Sequence, residues 1–193
     1  MTRRYSVAVP DDQPLPRVWL LTDARNDAVL DQAISALPPG SGVVFRHYHL
    51  SGHERQDRFA GIAAAARAAG HRVVLSASAD EAAAWGADGA YGPLERLAPS
   101  AGLLRLAAAH DRRELLAAAA ARVDGIFLSP VFPTRSHPGA PALGPDGFKE
   151  LASLTRVPVI ALGGMTAARA RAMGWPRWGA IDGLAAKVRS RSG

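Results

Sequence analysis

Short, almost unbroken apolar runs recur along the chain, each followed by a polar turn and then a longer Ala-rich or mixed segment. Runs without polar alternation fit strands buried on both faces. They fall at Arg17–Leu21, Gly42–Arg46, Arg72–Leu75, Gly89–Tyr91, Leu103–Ala107, Gly125–Leu128, Val157–Leu162 and Trp178–Leu184, the last interrupted by Asp182. Helices are expected between them. Asp27–Leu37 is stopped by Pro38-Pro39-Gly40, and the Ala-rich Glu54–Ala69 is closed by Gly70. Ser78 or Asp80 can cap a short helix to Trp85, Asp111 caps a helix to Ala121, and a further helical run follows Thr166. Strand and helix alternate about eight times, which argues for a parallel sheet, and that count favours closure into a barrel. The expected fold is therefore α/β, a compact (β/α)8 TIM barrel, with trimmed helices above all after strands four and eight. An open doubly wound sheet is the other architecture, but no GxGxxG opens the first βα turn.

Residues 1–16 read as an irregular lead-in, because Pro10, Pro14 and Pro16 discourage regular structure, and residues 17–193 as a single barrel domain. The chain has 193 residues and a net charge of +6, carried mainly by scattered arginines. No basic block is interleaved with aromatics, so nucleic acid is not expected as a partner, and the charge better suits small phosphorylated ligands. Cysteine is absent, which excludes thiolate catalysis and disulfides. No apolar run approaches the ~20 residues of a spanning helix, and the N-terminus has no secretory apolar region. A cytoplasmic protein without a membrane partner is expected; oligomeric state leaves no mark on the sequence.

Candidate chemistry concentrates between Asp124 and Thr166. Strand six opens into a long loop rich in Pro, Ser and Thr, and strand seven runs into Gly163-Gly164 ahead of a helix. Long loops of this kind are commonly functional, and glycine backbone before a helix favours an anion such as phosphate. Three Asp-Gly pairs, Asp88-Gly89, Asp124-Gly125 and Asp182-Gly183, are placed at or near strand starts; for the first two an αβ turn at the bottom of a barrel accounts for the pattern. His47, His49 and His53 have an H-x-H-x3-H spacing that suggests metal. However, His47 and His49 alternate away from Arg46 towards the helices and lack an obvious acidic partner, so no metal site is assigned.

The runs DGIFLSPVFPTRSHPG and VPVIALGGMT resemble the thiamine phosphate synthase and TenI group, and the resemblance extends from Trp19-Leu20-Leu21-Thr22-Asp23 over most of the chain. It implies a TIM barrel of thiamine biosynthesis. The synthases of that group join a hydroxymethylpyrimidine pyrophosphate to a thiazole phosphate and release pyrophosphate with the help of Mg2+; TenI relatives aromatise the thiazole. By the same resemblance, Gly163, Gly164 and Gly183 match the backbone that holds the thiazole-side phosphate. Thr134 and Ser136 match a hydroxyl pair after strand six, and His110 matches a family histidine.

The departures are equally specific. Where the group has Gln-x-Arg-x-Lys after strand two, this chain has Val44, Arg46 and Tyr48 on one face; where it has Asn-Asp after strand three, this chain has Ser76-Ala77. Strand four carries Tyr91 in place of a histidine, and Glu95 is the nearest acid; Ala108 stands for a serine, His137 for the loop lysine, and Pro130 for the TenI acid/base histidine. Mg2+ is thus possible as cofactor but with its ligands largely missing. Arg46, Thr134, Ser136, His137 and His110 are the expected catalytic set, with phosphorylated thiazole or thiamine phosphate as ligand. A synthase, a tautomerase and a non-catalytic binding barrel all follow from this pattern. Trp175 and Trp178 are expected to pack near the start of strand eight.

Overall fold

Eight parallel strands close on themselves in sequence order. They are β1 (Val18–Leu21), β2 (Gly42–Phe45), β3 (Arg72–Leu75), β4 (Gly89–Gly92), β5 (Leu104–Ala109), β6 (Gly125–Leu128), β7 (Val159–Ala161) and β8 (Trp178–Ala180). The structure is a computed structural model that describes residues 15–136, 139 and 141–184. Most of the proposed lead-in therefore lies outside the described residues, and so does His137.

Among the described residues, six α-helices cover the outside: α1 (Leu30–Ser35), α2 (Gly52–Ala68), α3 (Ala79–Ala84), α4 (Arg112–Ala120), α5 (Gly144–Ala152) and α6 (Ala167–Met173). Helix α2 buries Phe59, Ile62, Ala63 and Ala66, a stripe at helical spacing. Ser78 caps α3 by accepting the Glu81 N–H, Asp111 caps α4 through Glu114, and Thr166 caps α6 through Arg169. Ser78 rather than Asp80 is therefore the cap. After β4 a single 3-10 turn, Leu94–Arg96, replaces the helix, as trimming predicts.

Alternation along each strand separates two cores. Trp19, Leu21, Val44, Val74, Leu106, Phe127 and Ile160 fill the barrel, while Leu20, Val43, Phe45, Val73 and Leu75 face the helices. Trp19 plugs the lower interior, with its indole Nε1 donating to the Pro16 carbonyl at 2.9 Å. A Cβ on Gly42 would lie 2.2 Å from that ring, so only glycine lets β1 and β2 pair there. Trp175 packs edge-on against Phe148 and donates to the Val159 carbonyl, and Trp178 is buried on β8, both in packing roles.

The Asp-Gly pairs divide. Asp88 accepts the Val73 N–H at 2.6 Å and Asp124 accepts the Arg105 N–H at 2.7 Å, each tying the start of its strand to a neighbour. Asp182-Gly183 does not precede a strand: β8 stops at Ala180, so this pair sits at the opposite, C-terminal rim. Beyond the end of β8 the Asp182 carboxylate pairs with Arg25 at 3.5 Å and Arg135 at 2.9 Å at the mouth.

Candidate functional site

A pocket of about 140 Å³ opens at the C-terminal ends of the strands. Arg46, Tyr48 and Tyr91 form one wall, Ser129, Pro130, Thr134 and Ser136 another, and Leu162, Gly163, Gly164 and Met165 a third; His110 and Asp182 also border it. This is the face where a (β/α)8 barrel gathers its loops. Of the residues singled out from sequence, Arg46, Thr134, Ser136, His110, Gly163 and Gly164 come together here. Gly183 stands beside this wall, where a Cβ would lie 2.3 Å from the Met165 carbonyl oxygen.

Arg46 follows β2 directly. Its N–H donates to Thr22 Oγ1 at 2.9 Å, and its guanidinium lies 5.3 Å from the centre of the Tyr48 ring. Tyr48 in turn places its hydroxyl 2.5 Å from Ser76 Oγ, bridging the ends of β2 and β3. Beneath this pair, Arg55 of α2 donates to the carbonyls of Ser76 and Arg46, and bonds Glu81 at 3.2 Å. Tyr91 packs edge-on against Phe127, and burial pushes its phenol up to about 12, so it stays protonated.

On the opposite wall, Gly163 and Gly164 have φ of +90° and +61°. A Cβ at Gly163 would lie 2.6 Å from Pro130 Cα, and one at Gly164 2.8 Å from the Pro133 carbonyl oxygen. Both the left-handed backbone and the approach of the β6 loop therefore require glycine. The loop is stitched to this turn, with Val131 donating to the Leu162 carbonyl and Phe132 to that of Gly163. The result is a pocket wall of bare backbone, a surface that suits an anion.

Thr134 and Ser136 fold onto each other, the Ser136 N–H reaching Thr134 Oγ1 at 3.3 Å. Arg25, from the loop after β1, donates to Ser136 Oγ at 3.0 Å, pairs with Asp23 at 2.8 Å and approaches Asp182 at 3.5 Å. Arg135 holds the same Asp182 oxygen at 2.9 Å. The Arg25 hydrogen bond lowers the Asp23 carboxyl below its usual range against the opposing effect of burial. Sequence reasoning missed Arg25; its signal was the T-D-A-R run closing β1, on the rim that carries chemistry.

His110 is bound at home. Its N–H and its ring Nδ1 both meet Glu114 Oε2, at 2.9 and 3.0 Å, while Asp111 Oδ1 accepts the Glu114 N–H. Its first role is thus in the start of α4.

The histidine cluster needs a correction. His47 does face the helices, but an acidic partner exists: Asp27 lies 2.9 Å from His47 Nε2, and the ligand atoms of Asp27, His47 and His49 fall within 4.8 Å of one another. Twenty residues separate the partners in sequence, which hid the pairing. His47 Nδ1 already meets Thr22, and Arg58 already holds the Asp27 oxygen at 2.7 Å.

The described residues of the pocket do not fit a Mg2+ site. Hard dications take several carboxylate or carbonyl oxygens, whereas Ser76 is paired with Tyr48, Glu95 is exposed on the turn after β4, and Asp23 and Asp182 are paired with arginines.

Comparison with known proteins decides the family. The family model for thiamine monophosphate synthase (TMP-TENI) matches residues 18–175, more than four-fifths of the chain. The chain belongs to the thiamine monophosphate synthase and TenI family. It is 29% identical over 161 residues to "Putative thiamine-phosphate synthase 2" of Aquifex aeolicus (strain VF5), covering 79% of this chain and 87% of that protein. Its fold is similar to that of thiamine phosphate pyrophosphorylase from Pyrococcus furiosus, with TM-score 0.73, 22% identity, and 86% and 85% of the two chains covered. An HpcH/Hpal aldolase/citrate lyase family protein from Burkholderia cenocepacia J2315 also shares the fold, at TM-score 0.64, 16% identity and 94% and 93% coverage. A barrel alone does not fix chemistry. The family match spans β1 to α6 and stops before β8, so the Asp182 rim lies beyond it. Among the described residues, no helix is long and apolar enough to cross a membrane.

Proposed function

We propose that this chain is a thiamine phosphate synthase-like protein that binds a phosphorylated thiazole with its phosphate on the Gly163-Gly164 backbone and joins it to a pyrimidine pyrophosphate facing Arg46. The observation that carries the reading is the pocket itself, which is lined together by Arg46, the Gly163-Gly164 backbone and the hydroxyls of Thr134 and Ser136. In the transfer, the thiazole nitrogen attacks the pyrimidine methylene carbon as the bond from that carbon to the pyrophosphate oxygen breaks, and pyrophosphate leaves with the bonding pair. Arg46 offers a guanidinium fork to the departing anion, and the two hydroxyls donate to its oxygens. Arg25 can join them, since it already bonds Ser136. Gly183 supports the phosphate from behind the turn. His110 and His137 are the proposed proton carriers.

The described residues do not fit Mg2+, and no step is assigned to it. That misfit favours a second reading, a barrel that binds thiamine phosphate with little or no turnover. A tautomerase is disfavoured, because Pro130 occupies the position of its acid/base and its backbone is packed against Gly163. Small phosphorylated ligands in the cytoplasm, and neither nucleic acid nor membrane, are the proposed partners, with residues 17–193 acting as one barrel domain. Incubation with hydroxymethylpyrimidine pyrophosphate and thiazole phosphate tests the first reading. Thiamine phosphate formation above the uncatalysed rate supports it; saturable binding without product establishes the second.

A further inference from the structure

We infer that His47 is a positioning residue for Arg46, acting through the buried hydroxyl of Thr22 in a relay anchored on the Asp27–Arg58 ion pair. The inference rests on the reading of Arg46 as the group that holds an anion in the pocket.

The directions of the relay's hydrogen bonds follow from its two ends: the Asp27 carboxylate only accepts, which puts a proton on His47 Nε2, and the buried Thr22 hydroxyl needs an acceptor for its own proton. Thr22 Oγ1 accepts the Arg46 N–H at 2.9 Å, so its own proton is left to give, and His47 Nδ1 stands 2.7 Å away. The hydroxyl and both ring nitrogens are thereby matched with a single neutral tautomer: Nδ1 bare as acceptor, Nε2 protonated and donating to Asp27 Oδ1 at 2.9 Å. Arg58 closes the far end with two donors to the same oxygen, at 3.0 and 2.7 Å. Thr22 and the His47 side chain are fully buried, so a mismatch between the hydroxyl and Nδ1 cannot be repaired by solvent, whereas Asp27 and Arg58 at the far end reach water.

The backbone explains why Arg46 is the group controlled. His47 has φ of +20°, a conformation that L side chains rarely adopt, and its ring is stacked on Phe45 with planes 8° apart and centroids 4.7 Å apart. The relay and the stack hold this unfavourable residue between Arg46 and Tyr48, the two side chains that form one wall of the pocket. Three potential ligand residues close together, Asp27, His47 and His49, could also suggest a metal. Both His47 nitrogens are already spent and Asp27 Oδ1 is held by His47 and Arg58, which favours a relay over a metal site.

The groups facing His47 agree with a neutral ring. Burial lowers its proton affinity below the ordinary histidine value, Asp27 pulls the other way, and His49 and Arg58 oppose protonation. A proton on Nδ1 would turn the acceptor into a donor, orphan the Thr22 proton and loosen Arg46.

Nitrogen-15 NMR of the full chain reads the tautomer without any variant; the Nε2–H form at neutral pH is expected, and an Nδ1–H form overturns the relay. Thr22→Val, with His47→Asn as a second variant, should shift the Arg46 backbone and Nε resonances and weaken thiamine phosphate binding by roughly tenfold. The loss should vanish when Arg46 is already alanine, since a positioning residue has nothing left to position. An equal loss on the Arg46→Ala background, or unmoved Arg46 resonances, marks a purely structural role and overturns the inference. If the unaltered protein binds no thiamine phosphate, the functional reading fails by itself, and the tautomer and the Arg46 resonances still decide the relay.

Discussion

The Tyr48 hydroxyl lies 2.5 Å from the Ser76 hydroxyl, closing the gap between β2 and β3 with a neutral pair. Relatives by resemblance place a lysine and an Asn-Asp pair at these positions. By that comparison, a cationic and a potential metal-binding position are replaced by neutral hydroxyls, and under the proposed reaction Arg46 is left as the main charged group for the leaving anion, beside the hydroxyls of Thr134 and Ser136. Each lost pre-organised contact costs a few kcal/mol in comparable oxyanion sites, so two uncompensated losses depress turnover by roughly four orders of magnitude. Turnover, where measurable, should stay within about twofold on adding Mg2+ or a chelator, because the described carboxylates near the mouth are paired with arginines or turned to solvent. A steady-state assay with and without chelator checks this; a large Mg2+ activation would refute it.

Gly164→Val should eliminate thiamine phosphate binding. The residue sits at φ +61° with its missing Cβ 2.8 Å from the Pro133 carbonyl oxygen, so a branched side chain strains its own backbone and pushes the β6 loop outward. Strain of this kind costs about 1–3 kcal/mol before the contact itself is counted. Calorimetry on folded variant protein provides the check, and affinity equal to that of the parent would remove the glycine wall from the site.

Arg46→Ala should weaken thiamine phosphate or pyrophosphate binding by about 10- to 100-fold, the range for losing a charged hydrogen-bonding partner worth about 1.5–3 kcal/mol. Arg46→Lys should recover only part of it, since a point charge does not reproduce a planar fork. Competition binding with inorganic pyrophosphate measures both. Full recovery by lysine would show that charge alone is read.

Stability should fall with acid in two stages. The His47 pKa is lowered in the fold, first by burial, so the unfolded chain takes up a proton there more readily. Its contribution is complete above the unfolded value near ~6.5 and is lost as pH falls through the lower folded value. Asp27 behaves likewise further down: burial raises its carboxyl, but hydrogen bonds from His47 and Arg58 outweigh that and lower it, so its contribution disappears below the ordinary carboxylate range. Urea denaturation from about pH 7 to about pH 5 should show a declining free energy that is flatter in His47→Asn. A parallel decline in both proteins would place the acid lability elsewhere.

The fold was legible because a parallel barrel needs strands buried on both faces, and such strands advertise themselves as unbroken apolar runs. Arg72–Leu75 and Gly125–Leu128 match their strands residue for residue. Leu103–Ala107 fell short at its end, because Ala108 and Ala109 carry no strand signal of their own yet pair with Phe127 and Leu128. Alternation also put Arg46 and Tyr48 in the mouth and His47 outside it. What periodicity could not supply was partnership across the sequence. Asp27 finds His47 only once β1 and β2 lie side by side, and Asp182 finds Arg25 and Arg135 only after the barrel closes. His110 illustrates the reverse, since its family match suggested chemistry while Glu114, one turn along, engages its ring.

The central claim is that a phosphorylated ligand sits between Arg46 and the Gly163-Gly164 turn without a metal. Isothermal titration of the purified chain with thiamine phosphate in the presence of a chelator tests it most directly. One saturable site per chain, lost in Gly164→Val and weakened in Arg46→Ala, is the predicted result. Heats no larger than dilution, or binding that requires Mg2+, would contradict it.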